Sequence, residues 1–284
     1  MECAVDAPTG GAALKRGRVP QLDVLDVHSP SVARMNNYLL GGKDHYPADR
    51  EVCERLLRIA PGARRVAEAG HRFLLRVTSR LARDYGVRQF VVFGAGLPTP
   101  LGVHQIAQHV DPRARTVYAD ADRLALVYNR ALWEDRRHTL AVRADPLHAA
   151  HLLLDPEVEG FIDLTRPVAA LFVSGLHTIP GPADPAGILG QTARLLAPGS
   201  FIAASHLVSE DARLRRQASD LMLRATGGRW GRVRSRAEVG RFFDTLRLLA
   251  PELVDVCQWR PGSDRAAAAG SPTWAEHGGV AMIR

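Results

Sequence analysis

The spacing of apolar residues changes period once along the chain, near Arg88. Upstream the period is helical. Ser31 to Leu40 carries an apolar stripe that stops at Gly41-Gly42, where glycine suits the left-handed position after a helix. Asp49 to Ile59 puts Val52, Leu56 and Ile59 on one face and breaks at Pro61-Gly62. Val66 to Leu81 forms a third stripe from Phe73, Leu74, Val77 and Leu81. About a quarter of the chain therefore precedes the first strand-like run.

Downstream, short apolar runs alternate with helical stretches, the pattern of an α/β fold with a parallel sheet. Strands are expected at Gln89–Phe93, Arg115–Ala119, Thr139–Arg143, Val168–Val173 and Ser200–Ser205. Helices are expected from Pro100 to Val110, from Asp122 to Trp133, after Pro146, and from Ala186 to Leu196. A helical insertion, Glu210 to Ala225, and an Arg/Gly loop follow. Ser235-Arg236-Ala237-Glu238 is a capping box that opens a helix to Leu246. Leu253–Trp259 and Gly279–Ile283 are strand-like. The linker between them, Pro261 to Glu276, is too loose for a crossover helix, so they are expected as an antiparallel pair at the sheet edge.

The first strand runs directly into Gly94-Ala95-Gly96. A buried strand, a glycine turn and a helix start make a nucleotide crevice, because glycine turns sharply and lets a ligand approach the backbone. Asp120 ends the second strand, where a carboxylate can accept two hydrogen bonds from a ribose diol. Asp122 can cap the next helix, which leaves Asp120 for a ligand. Asp145 ends the third strand and can reach the amino group of an adenine. It can also cap a helix with Pro146 in the first position, and the two roles can coexist. A nicotinamide dinucleotide fits poorly. Its fingerprint needs a third glycine where this chain has Thr99, preceded by Pro98, and there is no second mononucleotide half.

Composition narrows the classes. A chain of 284 residues, 46% hydrophobic, suits one α/β domain with an attached element. No apolar run approaches a membrane span, and Met1 to Pro20 has no signal-peptide core, so a flexible tail is expected there. Cys3, Cys53 and Cys257 show no metal-site spacing; no metal is expected, and a reducing, cytoplasmic setting is. The net charge of +7 comes almost wholly from arginine, Lys15 and Lys43 being the lysines. This reads as compositional bias, so nucleic acid is not an expected partner.

Several local marks go together: Pro30 to Arg34, Tyr38 to Asp44, Ala48-Asp49-Arg50, Gln89-Phe90, Gly94 to Thr99, Tyr118-Ala119-Asp120, Leu176-His177, Ser205-His206, Ser235 to Val239 and Gly278 to Ala281. On these the chain resembles the class I S-adenosylmethionine-dependent methyltransferases. Among them it is most similar to an actinobacterial group long listed as a domain of unknown function. The resemblance covers nearly all of Ser29 to Arg284. It implies a Rossmann-like, seven-stranded, mostly parallel sheet with a reversed last strand, and S-adenosyl-L-methionine as cofactor. It places the glycine turn by the methionine part, Asp120 on the ribose and Asp145 by the adenine. The expected cofactor residues are Gly94, Ala95, Gly96, Leu97, Asp120, Ala121, Asp145, Pro146 and Ser174, with Arg34, Tyr38 and Lys43 from an N-terminal lid. The expected divisions are a tail (1–28), a helical lid (29–87) and a cofactor-binding α/β domain (88–284) with a helical insertion at about 207–234. Two departures stand out. Val92-Phe93 replaces the Asp-Ile usual before the first glycine, and Asn36 replaces an aromatic residue. The first removes a carboxylate that orders the turn and the cofactor's ammonium end, a loss worth about a factor of ten or more in affinity.

Methyl transfer needs a nucleophile held in line with the methyl group, and a base if that nucleophile is a hydroxyl. His177, after the fourth strand, is the expected base or orienting group; the alternative is a histidine that bonds backbone. His206 is expected to be structural, although it could face the same cleft. Met222, Arg224 and Trp230 lie in the insertion, where by analogy of fold the substrate pocket is expected. Arg34 and Tyr38, four residues apart, share a helix face and with Lys43 could touch the cofactor; equally, their charges could sit in solvent. The expected activity is O- or N-methylation of a small-molecule acceptor. Homodimerisation is left open. The alternatives are a non-catalytic S-adenosylmethionine-binding sensor, which Val92 motivates, and a nicotinamide-linked oxidoreductase, which Thr99 disfavours.

Overall fold

The computed structural model describes residues 26–179, 183–260 and 273–284. Most of the expected tail, Cys3, and residues 261–272 of the expected loose linker lie outside them. Three helices come first: α1 (Val32–Leu39), α2 (Pro47–Ile59) and α3 (Ala63–Asp84). Then strands and helices alternate: β1 (Gln89–Phe93), α4 (Val103–Val110), β2 (Arg115–Asp120), α5 (Arg123–Leu132), β3 (Thr139–Arg143), a 3-10 turn (Pro146–His148), α6 (Ala149–Leu153), α7 (Pro156–Glu159), β4 (Ala169–Phe172), α8 (Pro185–Leu195) and β5 (Phe201–Val208). The chain ends with α9 (Ala212–Ala225), α10 (Arg236–Gly240), a 3-10 turn (Arg241–Phe243), β6 (Arg247–Leu248), β7 (Val254–Asp255) and β8 (Ala275–Met282).

The sheet order is β3-β2-β1-β4-β5-β8-β6, with β7 also on β8. Strands β1 to β5 are parallel, and β8 runs antiparallel to β5 from Phe201↔Met282 to Val208↔Ala275. The seventh position is split: β6 and β7 pair with different stretches of β8, one after the other. Alternation along β1 sends Val91 and Phe93 into one core layer, against α6, α8 and α10, and Phe90 and Val92 into the other, against α3 and α4. A third cluster joins α1, α2 and α9 to Leu207, Trp230 and Trp274.

Three boundaries differ from the sequence expectation, each for a packing reason. The last strand starts at Ala275 rather than Gly279, because it lies between β5 and the β6–β7 edge and pairs along its whole length. The 253–259 run is a two-residue strand followed by a turn. Arg76 donates to the Val256 and Trp259 carbonyls, and Trp259 packs edge-on against Phe73 at 5.4 Å. The helix expected to reach Leu246 ends at Gly240. Neighbouring Phe242 and Phe243 cannot share one helical stripe, and a tighter turn buries both. The capping box at its start forms as expected, with the Glu238 carboxylate accepting from the Ser235 amide at 2.8 Å. The chain leaves the sheet after Val208 and returns at Arg234, a narrower insertion than 207–234.

Asp49 joins the first two helices. It is fully buried and accepts from the Ser31 amide (2.9 Å), the Arg34 Nε (2.8 Å) and the Tyr46 amide (2.8 Å). Its loss would leave a buried guanidinium without its countercharge and two helix-start amides without an acceptor. Asp49→Ala is expected to lower the unfolding free energy by about 3–5 kcal/mol. Glu68→Ala, which breaks the exposed Glu68–Arg72 pair, is expected to cost about 1 kcal/mol or less. Denaturant titration of the two variants measures both, and equal losses would refute a special role for Asp49.

Candidate functional site

The carboxyl ends of β1 to β4 open onto one cavity of about 400 Å3. Gly94, Asp120, Asp145, Pro146, Ser174 and Gly175 form its sheet side; Val32, Arg34 and Met35 of α1 and Leu56 of α2 cover it. Leu207, Met222, Trp230, Trp274 and Glu276 close the far end.

The glycine turn is built as its residues demand. Gly94 and Gly96 both have φ +69°, a left-handed conformation that costs glycine little. The Gly94 and Ala95 amides donate to the Ala119 carbonyl at 2.9 and 3.1 Å. At Gly96 a Cβ would meet nothing within 4 Å, so the turn presents open backbone. The Gly96 amide donates to Asp120 Oδ2 at 2.7 Å, and the Asp122 amide donates to Oδ1 at 2.8 Å. Burial raises the Asp120 carboxyl to about 6 despite these bonds. Asp122 caps α5 by accepting from the Leu124 and Ala125 amides, and also accepts from the Ser31 hydroxyl of α1. Asp145 caps the 3-10 turn through the Leu147 amide (2.9 Å) and also lines the cavity.

His177 is 6% exposed, its Nδ1 has no partner, and its ring tilts against Trp230 at 4.9 Å. Burial, with the Arg234 guanidinium second, lowers it to about 3, so the imidazole is neutral at physiological pH. Trp230 Nε1 is also buried without a partner. Ser174 has φ +55°, unusual for a residue with a side chain. Its hydroxyl donates to Glu276 at 2.8 Å, and the Ser205 hydroxyl donates to the same carboxylate at 2.6 Å. Burial raises the Glu276 carboxyl.

The structure places the remaining sequence candidates unevenly. Ala121 lines the cavity; Ala95 and Leu97 line a smaller pocket of about 70 Å3 on the α3 side of the turn, with Val92 and His71. Arg34 lines the cavity, but its guanidinium is neither in solvent nor free: it is bound by Asp49 and the Asp26 carbonyl. Tyr38 lies outside the cavity wall, beneath the Arg64 guanidinium at 4.4 Å. Lys43 is exposed and outside it as well, carried away by the Gly41-Gly42 turn. Arg224 is on the solvent face of α9, while Met222 faces inward. His206 is fully buried outside the cavity wall, accepting from Arg234 at 2.6 Å and bonded to the Leu207 carbonyl at 2.7 Å. Glu276 and Trp274 were missed, because the last strand was started too late. The available signal was an acidic residue two positions before Gly278, in a run from Trp274 to Ile283 whose other polar side chain is His277. Asp26, at the cavity rim, was assigned to the tail.

No described helix is long and apolar enough to cross a membrane. A family model described as S-adenosyl methyltransferase matches residues 19–284. No curated protein matches. Among solved structures, a DUF574 family protein from Streptomyces avermitilis MA-4680 is 34% identical, with a TM-score of 0.82 over 92% of this chain and 100% of its own. A candidate methyltransferase from Thermobifida fusca YX is 30% identical, with a TM-score of 0.84 over 94% of this chain and 99% of its own. The methyltransferase CalH bound to S-adenosylhomocysteine, 15% identical with a TM-score of 0.50 over 88% of this chain and 72% of its own, shares the fold. The Rossmann-like sheet with its one reversed strand and the match across nearly the whole chain agree: the chain belongs to the S-adenosyl methyltransferase family, whose cofactor is S-adenosyl-L-methionine.

Proposed function

We propose that this cavity holds the cofactor and a small-molecule acceptor together, and that the chain methylates an oxygen or nitrogen of that acceptor. One observation carries the reading. Gly94, at the head of the left-handed glycine turn, Asp120 and Asp145 stand at the ends of three adjacent strands on a single cavity. That donor set suits a nucleoside joined to an amino acid. Open backbone at Gly96 admits close approach, the Asp120 carboxylate can accept from a diol, and Asp145 can accept from an exocyclic amine. Ala121 and Pro146 supply apolar contact for the base. When bound, the cofactor supplies an electrophilic methyl group.

The chain's own residues do the rest. Helices α1 to α3, within the proposed lid at 29–87, cover the cavity and exclude water, and the Ser31–Asp122 bond ties that cover to the start of α5. Neutral His177, on the cavity wall with a buried, unbonded Nδ1, positions the acceptor. A ring that protonates only near pH 3 is a weak proton acceptor, so orientation suits it better than general-base work.

Calorimetry tests the placement. Asp120→Ala is expected to weaken S-adenosylmethionine binding by about tenfold or more, since each charge-assisted bond contributes about 1.5–3 kcal/mol. His177→Ala is expected to leave that affinity within about twofold. Unchanged binding in the Asp120 variant would remove the ribose assignment. A pH series gives a second check. The free Asp120 carboxyl is raised to about 6, so it is ionised above that pH and takes up a proton below it. Affinity is therefore expected to fall as pH drops from 7.5 to 5 in the native chain. Asp120→Asn should flatten this dependence.

A further inference from the structure

The far end of the cavity contains a buried acid that has no countercharge among the described residues. Glu276 is 3% exposed and lines the cavity, and its hydrogen bonds come from the neutral hydroxyls of Ser174 and Ser205. Among the described residues no arginine, lysine or histidine pairs with it. Isolated buried carboxylates are unfavourable, and proteins normally pair them. The surroundings are nonetheless arranged to keep this one. Gly70 of α3 faces it, and a Cβ there would collide with both the Glu276 carboxylate and the Ser174 hydroxyl. Ser174 holds a left-handed backbone while donating to it; such strain persists where surrounding structure imposes it and clusters at ligand sites.

Two further groups at this end lack partners. His177 Nδ1 and Trp230 Nε1 are buried and unbonded, their rings are neighbours, and both residues line the cavity. Buried polar atoms are nearly always bonded, so an orphaned pair on a cavity wall calls for a ligand. The wall also carries Trp274, Leu207 and Met222, with Thr226 and Arg229 close to Trp230 in sequence. An indole face beside a carboxylate favours a cation with an apolar body. Four arginines line the cavity, Arg34, Arg123, Arg143 and Arg229; none forms an ion pair with Glu276, and Arg34 has its charge matched by Asp49.

We propose that this inner compartment is the acceptor site and that it takes an apolar, ring-bearing amine, whose ammonium group is held by Glu276. The proposal rests on the methyltransferase reading above and names its acceptor class. Glu276 also has a chemical part. The amine proton passes to its carboxylate, and burial, which raises that carboxyl, assists the uptake. The nitrogen lone pair then forms the N–CH3 bond as the S–CH3 bond breaks with its electron pair left on sulfur. An N-methylated ammonium, a protonated Glu276 and a thioether result.

Three probes with one body and three charges test it: tryptamine, tryptophol and indole-3-acetate. The native chain is first titrated with S-adenosylhomocysteine by calorimetry; no binding there is a failure of the cofactor reading and is seen before any probe is added. The saturated protein is then titrated with each probe. Tryptamine is expected to bind about tenfold or more tighter than tryptophol, with indole-3-acetate weakest. Glu276→Gln, which keeps the shape and removes the charge, is expected to abolish that preference and leave S-adenosylhomocysteine affinity within about twofold. The ranking in the native chain needs no variant, so poor folding of Glu276→Gln leaves the comparison intact. Equal or reversed ranking, no binding of any probe, or a Glu276→Gln chain that loses S-adenosylhomocysteine instead would overturn the proposal.

Discussion

Everything at the cavity follows from the pairing of β1 on both edges. All five residues of the strand are buried, so its peptide groups have no access to water and must be satisfied by neighbouring strands. Strand β2 pairs along one edge from Gln89↔Arg115 to Phe93↔Ala119, and β4 along the other from Phe90↔Ala169 to Val92↔Leu171. That register leaves Asp120 one residue beyond the last pair, within reach of the Gly96 amide. It also brings Gly175, just past β4, beside Gly94, where a Cβ added to Gly94 would lie in ordinary contact with it. A slip of one residue would turn each side chain of β1 to the opposite layer and separate these groups. The binding geometry is thus a by-product of satisfying a buried backbone.

Charge is buried in two different ways in the helices and strands around this centre. Asp49 and Arg34 neutralise each other, with the remaining lone pairs of Asp49 taken by two backbone amides at helix starts. Such a complete set offsets the cost of desolvation and fixes how α1 meets α2. Among the described residues Glu276 is bonded by Ser174 and Ser205, neither of them charged, and burial raises its carboxyl. The contrast separates a charge that builds the cover of the cavity from one that faces into it. His177 and His206 differ in the same sense. Both are buried and neutral, but His206 has a partner at each nitrogen whereas His177 Nδ1 has none.

The groups readable from sequence were those whose roles are set within a few residues. Gly94 and Gly96 were legible because a strand that ends in a turn needs left-handed backbone there. Asp122 and the Ser235–Glu238 box were legible because a cap acts over two or three residues. Arg34 and Tyr38 were legible as neighbours on one helix but not in their engagement. Arg34 is claimed by Asp49, 15 residues away, and Tyr38 by Arg64, 26 residues away. Glu276 carries only a weak local mark, an acid shortly before Gly278. It matters through Ser174 and Ser205, 102 and 71 residues away, and through a glycine on α3.

The sequence by itself determined the α/β alternation, the order of the strands in the chain and the chemistry at the end of each, because period, turn residues and caps act locally along the backbone. The tertiary structure alone decided which charges are spent inside the protein and which face the cavity. It inserted the last strand between β5 and the split edge, setting Glu276 opposite Gly70, and it closed α1 and α9 over one space. Burial and countercharge depend on what packs across the fold, and residues far apart in sequence meet only when the sheet has closed its hydrogen bonds.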